Sequence, residues 1–457
     1  MFNTKEFEIA TWAAIFILFT NLGAIAKQFH GVPGIVAGSF ALLLLIPLAY
    51  HVLLRHQKII FDHTLGLMFA FLAICIISAI FSKNLVLSLN WVGEYFLEGI
   101  VLYFLLLNVI RNFDALKRVL WVLMLAGGLV GGLSVVQETT GTYDKQYGGL
   151  AQRNIESWTG ESNVKKDGML KTRTKVGRTN RASGPIGDPN RYAQNMLLLL
   201  PLSAFMLLQI RQKRTVKITA AITVGLIFSG ILLTYSRGAF LTLVLLGFAL
   251  MMLKYIRIKQ TLIGLLVIVI LVAVVSPGYF VRMQSILGVE AFVSETTVSK
   301  PDAVTRGRLT EMMAAFNAFL DHPIVGVGPR HYSKYYSIEY MDDPSIALRQ
   351  INKSRRAHTL YSELAAETGI LGFSVFMSII FMVMLRLQQA RQYWKNIRPE
   401  FAHLATAFLL SILSYLSTAI FLHFSFQRYF WLFLALAGVC VQILETSKKD
   451  NIRQTHY

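Results

Sequence analysis

Apolar runs about as long as a bilayer is thick recur along this chain, and they leave it little choice of fold. A helix crossing the hydrocarbon core needs about 20 predominantly apolar residues at about 1.5 Å rise each. Inside that core every backbone amide must find a partner without help from water, which favours helices. Such runs lie at roughly 10–26, 33–50, 65–81, 95–110, 119–137, 192–210, 216–234, 239–253, 262–275, 369–385, 402–422 and 429–444, about twelve in all. The expected fold is therefore an all-α polytopic membrane bundle. The chain is 54% hydrophobic and only 15% charged, against about a quarter charged in soluble domains. The first run is read as a span and not as a cleavable leader. Glu6 and Glu8 precede it, no small-residue cleavage site follows, and further spans do.

A net charge of +19 in a soluble protein would point to nucleic acid. In a membrane protein, short loops rich in Lys and Arg mark the cytoplasmic side. Every even-numbered exit is basic: Arg55 and Lys58; Arg111, Lys117 and Arg118; Arg211, Lys213, Arg214 and Lys217; Lys254, Arg257 and Lys259; Arg386, Arg391, Lys395 and Arg398; Lys448, Lys449 and Arg453. The short odd-numbered exits carry the single cations Lys27, Lys83, Arg237 and Arg428. The charge is thus assigned to topology, with no nucleic-acid partner and both termini cytoplasmic. Reporter fusions at Lys213 and Lys395 should read as cytoplasmic, and fusions at Lys165 and Lys334 as outside. A cytoplasmic signal at Lys334 would overturn the topology and any site built on it.

The resulting layout is N-terminal spans over 1–137, an extracytoplasmic loop over 138–191, central spans over 192–275, a larger extracytoplasmic loop over 276–357, C-terminal spans over 358–444 and a cytoplasmic tail over 445–457. The first loop is polar and rich in Gly, Lys, Arg, Asn and Thr, and is expected to hold little regular structure. It ends in G-P-I-G-D-P-N-R-Y-A-Q-N, Gly184 to Asn195, whose prolines favour turns before the next span. The second loop contains R-G-R-L-T-E-M-M-A-A-F-N-A-F-L-D-H-P, Arg306 to Pro323. Leu309, Met312, Met313, Ala315, Phe316 and Phe319 follow a helical period, with Arg308, Glu311 and Asn317 on the polar face. A helix so short and amphipathic is expected at the outer interface or across the mouth of the bundle. The cytoplasmic loops are too short for a nucleotide-binding domain, and no phosphate-binding G-x-x-x-x-G-K-[ST] loop occurs. Cys75 and Cys440 both fall inside spans, where they read as small apolar packers.

The charged groups near the outer side carry the chemistry. Arg237 stands in T-Y-S-R-G-A-F, a tight turn between two spans. There it is either an anchor snorkelling to headgroups or a cation aimed into a cavity. Arg306 and Arg308 open the amphipathic helix, as a solvated face or as a phosphate clamp, since guanidinium offers two parallel donors to a phosphate. His358, in R-R-A-H-T-L-Y-S-E-L-A-A-E-T-G-I-L-G, stands at the mouth of a span beside Arg355 and Arg356. It is either a structural histidine or a general base that its cationic neighbours help to keep neutral. Acidic groups are scarce outside, Asp342 and Asp343 forming the one adjacent pair. Neither a metal site nor a cofactor is expected.

Together, T-Y-S-R-G-A-F, R-G-R-L, D-H-P-I-V-G-V-G-P-R-H-Y and A-H-T-L-Y-S-E-L-A-A-E-T-G-I-L-G resemble the motifs of the O-antigen ligase and O-antigen polymerase family, and G-D-P-N-R-Y-A is similar to a further segment of it. The resemblance implies a GT-C-like membrane glycosyltransferase of polysaccharide and lipopolysaccharide biosynthesis in the cytoplasmic membrane. It would transfer a glycan from undecaprenyl diphosphate to a sugar hydroxyl at the extracytoplasmic face, without metal and with inversion. It also implies that Arg237 and Arg308 bind the diphosphate and that His358 is catalytic. Asn190, Arg191, Arg330, His331, Arg355 and Arg356 are expected to contact substrate. Arg330 and His331 stand where the family often has Gly and Asn, so they rank lower. The donor must already be on a lipid, because no cytoplasmic domain exists to bind nucleotide sugars. A lipid A-core sugar, the growing chain itself and a protein all remain open as acceptors. The rival from another class is a polysaccharide flippase or transporter.

Overall fold

A computed structural model describes residues 4–34, 39–158, 177–208, 213–259, 303–341, 343–346, 354–424 and 427–455. The expected span at 262–275, Lys165 and Asp342 lie outside them. The chain is a helical bundle. Among the described residues the longer helices are α1 (Thr4–Thr20), α2 (Leu22–His30), α3 (Phe40–Leu54), α4 (His63–Ile80), α5 (Leu85–Val109), α6 (Phe113–Thr140), α7 (Pro189–Leu208), α8 (Arg214–Leu232), α9 (Arg237–Met252), α10 (Ala303–Asp321), α11 (Leu360–Trp394), α12 (Pro399–Thr418) and α13 (Gln427–Thr455). Among the described residues eight helices are long and apolar enough to cross a membrane, or nine if α1 and α2 count as one broken span. Helices α3 and α9 are apolar but shorter.

The break between α1 and α2 was not legible in the first apolar run. Asn21 adopts φ 58°, a left-handed conformation that Asn tolerates better than most residues. The two helices bend by 60° there. The buried Asn21 amide donates to Pro185 O at 3.0 Å, and its oxygen accepts from Arg428 Nη2 at 2.6 Å. Close packing elsewhere uses small residues, as expected where lipid gives no hydrophobic drive between helices. A methyl group at Gly131 of α6 would lie 2.3 Å from Leu226 O of α8.

The contacts sort the helix ends into two groups. At one end Arg386 pairs with Asp62 and Glu445, Lys117 with Glu400, and Arg118 with Glu8. This end gathers the basic exits. At the other end Asn21, Pro185 and Arg428 meet, and His331 meets Asn84.

Two expectations change at this second end. The loop over 138–191 contains an antiparallel hairpin of β1 (Gln152–Trp158) and β2 (Gly177–Gly184). Its strands lack apolar alternation, so the signal that marks a strand is missing. Buried arginines fix it instead. Arg153 donates to Gln137 Oε1, Glu138 Oε2 and Ser134 O, and Arg181 Nε donates to Thr234 O at 2.6 Å.

Helix α11 begins at Leu360, well before the apolar run at 369–385, and breaks at Gly369 with φ 63° and ψ −170°. The P-I-V-G-V-G turn docks on that break through its backbone. Ile370 N donates to Pro323 O, Val327 N to Ala366 O and Gly328 N to Glu367 O, at 2.8, 2.9 and 3.0 Å. A Cβ at Gly369 would stand 2.2 Å from Ile324 O, and one at Gly326 2.4 Å from Glu367 C. Only glycine permits this approach, which ties α10 to the start of α11.

Helix α10 turns Glu311 of its polar face inward together with its small residues. Gly307, Thr310, Glu311, Ala314, Ala315 and Ala318 are buried. Phe316 and Leu320 are 55% and 56% exposed. The surroundings of an interfacial helix are themselves apolar, so bulky residues face outward and small ones pack inward. Glu311 goes inward because partners await it there.

Candidate functional site

The turn Thr234–Ser236 sets the first part of the site. Tyr235 has φ 51°, and the Ser236 side chain caps α9 by accepting from Ala239 N. Arg237 is thereby the first residue of α9, at a helix N-terminus whose open amides and dipole favour an anion. Arg181 braces this turn at Thr234 O and also donates to Asn190 Oδ1 at 2.9 Å. Asn190, Ser236, Arg237, Gly238, Arg308, Thr418, Phe421 and Leu422 line one small open pocket of about 30 Å³. Two arginines from separate helices thus meet at one cavity beside a helix N-terminus. Arg306, two residues from Arg308, is not among its lining.

The second part is the segment before α11. Arg356 donates to Glu363 Oε1 through Nε and Nη2 and to Phe424 O through Nη2, while Ala357 N donates to Glu363 Oε2. Burial opposes the charge on Arg356, but the Glu363 carboxylate prevails and raises its pKa. Leu360 N donates to Ala419 O at 3.0 Å. Between these ties His358 takes φ 53°. A non-glycine residue held in the left-handed region costs about 1–3 kcal/mol and persists where its surroundings over-determine it.

His358 Nε2 stands 3.2 Å from Glu311 Oε2, and Arg355 Nε stands 3.7 Å from Glu311 Oε1. Burial, then the guanidinium groups of Arg308, Arg191 and Arg355, hold the His358 pKa down to about 4, with Asp188 acting in the opposite sense. The ring is neutral at pH 7. His423 from the α12–α13 turn packs edge-on at 5.9 Å between ring centroids, and burial followed by Arg356 keeps it neutral too.

Of the residues expected to contact substrate, Asn190 lines the pocket. Arg191 is buried behind it and donates to Gln194 Oε1 at 3.2 Å, and Gln194 donates on to Thr418 Oγ1 at 2.9 Å. Arg355 reaches Glu311, and Arg356 is committed to Glu363. Arg330 and His331 turn towards α5 instead. Arg330 pairs with Glu94 at 2.6 Å. His331 is fully buried, with Nε2 accepting from Asn84 N at 2.9 Å and Nδ1 facing Ser88 Oγ at 3.1 Å. Sequence reasoning passed over Arg181 and His423, and placed Glu311 on the polar face of the helix without a partner in view. Nothing in the local pattern around Arg181 marks a buried cation. For Glu311, the small residues at 307, 314, 315 and 318 were the signal.

A search of curated proteins found no match to the chain. Residues 222–377, the stretch holding the Arg237 turn, the Arg308 helix and His358, match the family model described as O-antigen ligase, so that part of the chain is similar to this family.

Proposed function

We propose that the protein transfers a glycan from undecaprenyl diphosphate to a sugar hydroxyl at the extracytoplasmic face of the cytoplasmic membrane. The observation that carries this is the pocket where Arg237 and Arg308 meet at the N-terminus of α9, with Arg308 also among the charges felt by His358. The neutral His358 takes the proton of the acceptor hydroxyl. That oxygen bonds to the anomeric carbon from the face opposite the leaving group, so the configuration inverts. The bond from carbon to the phosphate oxygen breaks with its electron pair going to the diphosphate. Arg237 and Arg308 hold the charge that develops there, as preorganised donors at a leaving group do. Asn190, which lines the same pocket, is the neighbour placed to touch such a donor.

The test is transfer by the purified chain in liposomes, with a lipid-diphosphate-linked glycan as donor and a free glycan as acceptor. Product should form, and should form equally in excess chelator, because two guanidinium groups carry the diphosphate charge. Loss of transfer with EDTA and its return with magnesium or manganese would displace the arginine clamp. Movement of the donor across the bilayer without product would favour a flippase.

A further inference from the structure

We infer that Glu311 is the positioning residue of the base: it accepts the Nε2 proton of a neutral His358, so that Nδ1 is the atom that faces the acceptor. This rests on the reading of His358 as the base. Glu311 is 1% exposed, on a helix face otherwise built of small residues. A carboxylate is costly to bury there unless it is paired. Its two oxygens face His358 Nε2 at 3.2 Å and Arg355 Nε at 3.7 Å. Tyr332 Oη donates to the Glu311 carbonyl at 2.6 Å, which fixes this turn of α10 against the loop. On the other side, the ties of Ala357 N to Glu363 and of Leu360 N to Ala419 O fix the backbone of His358. Both partners are therefore held before substrate arrives.

The groups facing His358 are Glu311 and Arg308 from α10, Arg355 from its own loop, Asp188 and Arg191 from the start of α7, and His423 from the α12–α13 turn. Glu311 is the carboxylate at contact distance. When Nδ1 takes the acceptor's proton the ring becomes a cation with both nitrogens protonated. Glu311 stays ionised and stabilises that cation, while the acceptor oxygen bonds to carbon and the diphosphate departs with its electron pair. Arg308 precedes Glu311 by one helical turn, so one rigid element sets both the leaving-group clamp and the tautomer of the base.

The test uses Glu311→Gln and Glu311→Asp in the full chain in liposomes, with donor affinity, turnover and the pH profile measured separately. In Glu311→Gln turnover should fall by up to roughly 10⁴-fold, the loss seen when a triad histidine loses its orienting carboxylate. Donor affinity should hold within about twofold. The acid limb of kcat/KM should move to lower pH, because the lost carboxylate had favoured the protonated ring. Glu311→Asp, which keeps the charge, should retain the limb and part of the rate. Adding Glu311→Gln to His358→Ala should cost little further, since residues acting as a unit are not additive. Wild-type turnover with an unmoved limb in Glu311→Gln, or donor affinity lost with turnover kept, overturns the inference and leaves the base reading standing. If Glu311→Gln does not fold, a lowered turnover with the acid limb retained in Glu311→Asp at unchanged donor affinity supports the inference, and wild-type turnover there overturns it. Wild-type turnover in His358→Ala brings down both.

Discussion

Replacing His358 with alanine is expected to lower transfer by roughly 10²–10⁴-fold, the usual worth of a positioned general base. The protein should still insert and fold. His358 lies in the loop before α11 and not in a packed span, and its side chain remains 29% exposed. Removing it also relieves a left-handed φ of 53° at a residue with a Cβ only if glycine replaces it, so alanine isolates the imidazole from the backbone. Donor binding should change little, because Arg237 and Arg308 line the cavity that would take the diphosphate. A histidine that merely packs forecasts the reverse, with less folded protein or weaker donor binding and normal turnover in what survives. Measuring donor affinity and turnover on purified protein separates the two, and wild-type turnover per folded molecule would end the base reading.

The pH profile adds a second readout. A base must be unprotonated, and His358 is protonated only as pH falls towards about 4. Transfer in the wild type should therefore be level around neutrality and decline in acid, with kcat/KM reporting the free enzyme. The residual activity of His358→Ala should lack that limb. A wild-type rate still rising steeply between pH 6 and 8 would mean another group titrates in the mechanism, since burial and three guanidinium groups keep this ring neutral there.

What could be read from the sequence was what repeats or what stands out from its surroundings. Apolar runs gave the bundle, and basic exits gave the grouping of Arg386, Lys117 and Arg118 at one end. Arg237 was visible because the short outer turns carry only single cations, and Arg308 and His358 because they stand in the motifs that carry the family resemblance. Partners hidden by distance along the chain were not legible. Glu311 and His358 are far apart in sequence, and a helical period cannot say whether the polar face of an interfacial helix looks at water or at a histidine. The bend at Asn21 depends on Pro185 and Arg428, neither of which is local. The β1–β2 hairpin is held by Arg153 and Arg181 and not by an apolar face, so the usual strand signal was absent. The glycines of G-V-G and T-G were visible as turn residues, but their purpose, backbone docking of one segment on the other, required both segments in view.

Arg237→Lys is expected to cost transfer roughly 10²–10³-fold, or about 2.7–4 kcal/mol of transition-state stabilisation, as for removal of one preorganised donor. The substitution keeps the charge. It also keeps the Ser236 cap and the start of α9, because lysine is as good a helix former as arginine. What it loses is the planar fork that donates two parallel bonds to a phosphate. If Arg237 were an interface anchor, a lysine would snorkel equally well and the rate would hardly change. The same argument gives a comparable loss for Arg308→Lys, since Arg308 lines the same cavity. Arg306→Lys should be mild, because Arg306 does not line it and its carbonyl serves Thr310 within the helix. The contrast between Arg308 and Arg306, two residues apart on one helix, controls for nonspecific effects of charge and insertion. Turnover measured at equal levels of folded protein decides the matter. Near-wild-type rates in Arg237→Lys would return that residue to the headgroups, while equal losses at 306 and 308 would mean that α10 senses arginine for its packing and not for a diphosphate.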